Sequence, residues 1–165
     1  MFFLWVAALS LVSTSINHQK IVYDNGLELH IAFAGLSGPV TASDLSIYNI
    51  NQNQWVSPSE YNLTYDSNTQ VAVVRFPAPP LKALPDGLYL ASFFNGEISL
   101  EFYSLPSDLN RDRKTDTQDF NVLSGNFNRV QSGYQPADFN KDGLVNGLDF
   151  NFLASKYGAK VPESN

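Results

Sequence analysis

Two stretches of oxygen-bearing side chains lie near one end of this 165-residue chain. The first, Asp108 to Asp119, places Asp108, Asn110, Asp112, Asp116 and Asp119 at its positions 1, 3, 5, 9 and 12. The second, Asp138 to Asp149, places Asp138, Asn140, Asp142, Asn146 and Asp149 at the same positions. Seven of the eleven Asp residues fall within these stretches. Carboxylates this close repel one another unless a cation sits among them. Calcium suits such a set, because it takes about six to eight oxygens in a flexible shell. Position 7, Lys114 in one stretch and Leu144 in the other, would add a backbone carbonyl. The chain has no Cys and only two His, His18 and His30, so zinc and copper lack their usual ligands. Two calcium ions, one per loop, are the expected cofactors.

The stretches belong to an internal duplication. Residues 106–128 align with 136–158 at an offset of 30, with eight of 23 positions identical. The ligand positions are those of an EF-hand loop. Behind each loop an apolar series recurs at helical spacing, Phe120, Leu123 and Phe127, then Phe150, Leu153 and Tyr157. Prolines at 106 and 136 leave no helix entering either loop. These aromatics are expected to point into a core. The pair of DxNxDxxxxxxD loops, each followed by a helix beginning with Phe, resembles the type I dockerin module of extracellular bacterial proteins. The resemblance covers about 105–160. It implies calcium-dependent folding and docking onto a cohesin-like protein domain, with loop positions 10 and 11 (Thr117, Gln118, Gly147 and Leu148) at the partner surface. Those two pairs differ from each other, so the two faces are expected to be unequal. Position 6 is Gly143 in the second loop and Arg113 in the first, where a side chain strains a left-handed turn. The second calcium site is therefore expected to be the tighter.

The elements that precede the loops read as strands. Leu27, Leu29, Ile31 and Phe33 alternate with Glu28, His30 and Ala32, as a half-buried strand requires. His30 thus takes a solvent-facing position. Short β-favouring runs follow at 45–48, 61–65, 71–74, 88–90 and 98–102. Turn residues separate them: Asn25-Gly26, Asp66-Ser67-Asn68, Pro85-Asp86-Gly87 and Asn95-Gly96. The prolines Pro77, Pro79 and Pro80 interrupt any strand. About seven strands in some 90 residues suggest an antiparallel β-sandwich. The stretches Phe33 to Val40, Ala42 to Leu45 and Leu84 to Tyr89 resemble bacterial Ig-like domains. The expected fold is mostly β with a small α module: an Ig-like antiparallel β-sandwich over 16–104, a duplicated calcium-loop–helix dockerin-like domain over 105–160, and a tail at 161–165.

Residues 1–15 read as an export signal, because the apolar run from Phe2 to Val12 is too short to span a bilayer core of about 20 residues. The alternative is a buried strand. An exported chain is expected to be secreted or held at the cell surface, with no membrane span. A net charge of −6 argues against nucleic acid, which needs clustered Lys and Arg. Five dispersed Glu residues and no G-x-S-x-G turn leave catalysis without a signature. The expected function is a non-catalytic calcium-binding docking or structural module. The alternative is membership of a carbohydrate-active, polysaccharide-degrading glycoside hydrolase system, with catalysis in the sandwich or in an upstream region.

Overall fold

The computed structural model describes residues 10–14, 22–23, 27–34, 36, 38–76, 84–129, 137–140 and 142–163. Its strands are β1 (Ser10–Thr14), β2 (Val22–Tyr23), β3 (Leu27–Ala34), β4 (Leu45–Asn49), β5 (Gln54–Trp55), β6 (Asn62–Asp66), β7 (Val71–Phe76), β8 (Gly87–Phe93) and β9 (Ile98–Ser104), followed by helices α1 (Thr117–Asn126) and α2 (Gly147–Ser155). One sheet runs β1-β3-β7-β6, with β2 also paired to β3; the other runs β5-β4-β8-β9. Every pairing is antiparallel.

β1 lies inside the run read as an export signal, and here it pairs with β3 from Ser10↔Ala34 to Thr14↔Ile31. The rest of that run is outside the described residues, as are the Asn25-Gly26 turn and the prolines at 77–80. The Asn95-Gly96 turn does link β8 to β9, with positive φ at Phe94, Asn95 and Gly96.

Alternation places the core between the two sheets. Leu29, Ile31 and Phe33 of β3 and Ala72, Val74 and Phe76 of β7 meet Ile47, Ala91, Phe93 and Phe102 from the other sheet, all buried. Phe33 meets Phe93 edge-on at 5.3 Å, and Tyr89 stacks on Phe102 at 5.2 Å. The buried Tyr89 hydroxyl donates to the Pro85 carbonyl at 2.7 Å and accepts from Asn49 Nδ2 at 3.0 Å. Burial pushes that phenol well above its ordinary pKa.

Both helices start on a capping box. Asp116 caps α1 with Asp119 at its third position, and Asn146 caps α2 with Asp149. Loop positions 9 and 12 therefore double as the reciprocal cap that satisfies orphan backbone N–H groups. Leu123, Ala137, Val145 and Leu153 form the small buried core of this module, with Leu109 and Phe139 packed against it.

The aromatics flanking these leucines do not point inward as the periodicity suggested. Phe120 is 37% exposed, Phe127 42%, Phe150 40% and Tyr157 59%. The helices are ten and nine residues long, and two such helices bury little more than the stripe centred on Leu123 and Leu153. Phe127 is already the C-cap of α1, and Tyr157 lies beyond α2, so helical period no longer sets their direction. Phe120 and Phe150 meet each other edge-on at 5.8 Å on the outside. Among the described residues, no helix is long and apolar enough to cross a membrane.

Candidate metal centre

The two loops close through the same set of bonds. Asp108 accepts from the N–H groups of Asp112 (2.9 Å) and Arg113 (2.8 Å), and Asp138 from those of Asp142 (3.2 Å) and Gly143 (2.8 Å). Asn110 Oδ1 accepts from Asp112, and Asn140 Oδ1 from Asp142, each at 3.1 Å. Asp112 accepts from the Lys114 N–H at 3.0 Å, and Asp142 from that of Leu144 at 2.9 Å. At position 12, Asp119 and Asp149 are wholly buried. Asp119 accepts from Leu109 and Asp116 at 2.7 Å each, and Asp149 from Phe139 at 2.7 Å and Asn146 at 2.9 Å. Short Asp and Asn side chains folding back on their own backbone explain why these residue types build such a turn.

The copies also lock each other reciprocally. The Thr115 carbonyl of the first loop accepts from the Gly158 N–H, just past α2. Its counterpart, the Val145 carbonyl of the second loop, accepts from the Asn128 N–H just past α1, and both bonds are 2.8 Å. Asn128 and Gly158 each have positive φ, 58° and 85°.

Position 6 takes the left-handed backbone in both loops, with φ of 69° at Arg113 and 87° at Gly143. The first loop differs from the second in being built into the sandwich. Tyr103, near the end of β9, is buried and donates its hydroxyl to Asp108 Oδ2 at 2.8 Å. The Arg113 guanidinium lies 5.2 Å from the centre of the Tyr103 ring. Leu88, Tyr103, Leu105 and Val161 form a separate buried cluster across this junction. The backbone bond from Val161 to the Arg113 carbonyl (3.0 Å) and the Lys156–Asp86 ion pair (2.8 Å) extend it. Burial raises the Asp108 carboxyl above its ordinary range against the pull of the Tyr103 hydroxyl and the loop N–H groups. Asp142 is the opposite case. The Asn140 amide, then the Leu144 N–H, hold its carboxyl below the usual range.

Among the described residues, no three acidic or histidine side chains converge closely enough to hold a metal ion. The carboxylates are turned instead toward the N–H groups of their own loops. The donor set nonetheless fits calcium: it is all oxygen, and a carboxylate offers about four acceptor sites, so the bonds it accepts from the loop do not saturate it. Of the expected partner residues, Thr117 and Gln118 open α1, and Gly147 and Leu148 open α2. Leu148 is 62% exposed, whereas the Thr117 hydroxyl bonds that of Tyr157 at 2.9 Å.

The resemblance of the loops to dockerins was legible in the sequence; the part played by Tyr103 was not. One signal was present: Phe102 and Tyr103 are consecutive bulky residues where alternation calls for a polar one, and both are buried.

Residues 106–156 match the family model of the dockerin type I domain. Among solved structures, the crystal structure of the N-terminal Ig1-2 module of Drosophila receptor protein tyrosine phosphatase DLAR is similar, at 15% identity and a TM-score of 0.37. The similarity covers 59% of this chain and 47% of that one, so this chain spans under half of that structure's length. A comparison with curated proteins finds no match.

Proposed function

From the type I dockerin domain at residues 106–156, we propose that this chain is a non-catalytic docking module that binds two calcium ions and, through them, presents its helices to a cohesin-like partner. The observation that carries this reading is that two oxygen-lined loops within the matched segment share the same backbone N–H to side-chain bonds at positions 1, 3, 5 and 12. Asp108, Asn110, Asp112, Asp116, Asp119 and the Lys114 carbonyl would hold one ion. Asp138, Asn140, Asp142, Asn146, Asp149 and the Leu144 carbonyl would hold the other. Each ion would draw the loop's carboxylates from their own backbone N–H groups onto itself, neutralise them, and fix the start of the helix behind it.

The partner surface in this reading is the exposed face around Phe120, Phe150 and Leu148, with Thr117, Gln118 and Gly147 beside it. Half-exposed aromatics on short helices cost little when free and bury apolar area on docking. Dockerin domains occur in extracellular or cell-surface proteins, and that is the setting proposed for this chain. The sandwich serves as an Ig-like spacer.

Calcium titration of the whole chain tests the proposal. Helical circular dichroism from 105–160 is expected to fall in excess chelator and return with calcium, since a module of this size without disulfides needs a staple. An unchanged spectrum, together with no heat of calcium binding, would refute it. A cohesin panel with and without chelator then tests the partner.

A further inference from the structure

The second loop shows what the first would be without the sandwich. Asp108 and Asp138 stand at the same position and accept the same two backbone bonds. Among the described residues, only Asp108 gains a third donor from another module, the Tyr103 hydroxyl at 2.8 Å. Thirty positions after Tyr103 the chain has Gly133, which has no side chain to offer. Tyr103 is held firmly. It pairs with Leu88 in the β8–β9 ladder, packs among Leu88, Leu105 and Val161, and has the Arg113 guanidinium over its ring.

We propose that Tyr103 is a positioning residue for the first calcium site, so that the sandwich forms part of that site. The proposal rests on reading the loops as calcium sites. With Oδ2 engaged by both Tyr103 and the Arg113 N–H, the Asp108 carboxylate is oriented before any ion arrives. The ordering cost is then met in folding the sandwich rather than in binding the metal. Outer partners that orient a metal ligand commonly shift affinity by about 10- to 100-fold. Coupling of this kind is reciprocal. If the sandwich strengthens calcium binding at the first loop, calcium in that loop strengthens the seating of the helices on the sandwich.

The test uses the isotopically labelled whole chain and its Tyr103→Phe variant, which keeps the ring and its packing but loses the hydroxyl. Calcium is titrated while amide signals report each loop separately, Arg113 and Lys114 for the first, Gly143 and Leu144 for the second. The first loop is expected to need about tenfold more calcium in Tyr103→Phe, with the second unchanged. An unchanged first loop, or an equal shift at both loops, overturns the proposal, because the hydroxyl contacts the first loop alone among the described residues. Tyr103→Leu separates ring from hydroxyl: weakening by Leu but not by Phe also overturns it. If neither loop of the unmodified chain responds to calcium, the calcium reading itself falls, and this inference with it.

Discussion

Arg113 occupies a backbone conformation that glycine fills in the second loop. For a residue with a Cβ the left-handed region costs roughly 1–2 kcal/mol. Its side chain offsets part of this, lying over Tyr103 and donating from Nη1 to the Pro162 carbonyl at 3.1 Å. A cation–π contact at such a site contributes about 0.5–1 kcal/mol. Arg113→Gly should therefore be close to neutral, losing contacts but relieving strain. Arg113→Ala, which loses the same contacts and keeps the strain, should destabilise by about 1 kcal/mol. Urea unfolding of the calcium-loaded variants reads the order directly, and equal stability of Ala and Arg would show that the contacts contribute nothing. The same residue bears on the expectation of a tighter second site. Strain at Arg113 favours that order and the Tyr103 hydroxyl opposes it, so the two affinities should lie closer together than loop geometry alone implies.

At the scale of elements, the helices show where periodicity informs and where it stops. Leu123 and Leu153 are buried as their spacing required, but the larger aromatics beside them face out. Truncation should follow burial rather than size. Leu123→Ala should cost about 2–5 kcal/mol, and Phe120→Ala only about 1 kcal/mol, mostly its edge-on contact with Phe150. Calcium-loaded denaturation curves of the two variants would show the inversion. The strands were readable because alternation is imposed residue by residue: Leu29, Ile31 and Phe33 need only their immediate neighbours to declare a face. The loops were readable because short oxygen side chains recur at fixed positions twice. What could not be read was anything set by the meeting of distant segments. No local rule says that Tyr103 lies under Arg113, that Thr115 receives its bond from beyond α2, or that the outward aromatics pair with each other across the helices.

Among the described residues, the molecule has two cores joined by a third, small apolar cluster at the junction. In the proposed function the ions would act first on the C-terminal core. Calorimetry should resolve two transitions, the lower gaining about 1.4 kcal/mol for each tenfold rise in free calcium above the dissociation constant, the upper nearly fixed. A single transition that moved as a unit would mean that the junction binds the two cores into one cooperative block. Between Ser104, which ends β9, and Asp108, which opens the first loop, lie Leu105, Pro106 and Ser107, and both Leu105 and Ser107 are buried. Three residues at full stretch span only about 10 Å, and these are already packed down. A protein anchored through such a joint has almost no slack. Tension on a docked helix pair would arrive undamped at the rim of the sandwich, where the edge strand β9 is held along one side by β8. The Gly87–Ser104 pairing and the Tyr103–Asp108 bond would then be the first to bear the load, making the proposed calcium brace a mechanical clamp as well.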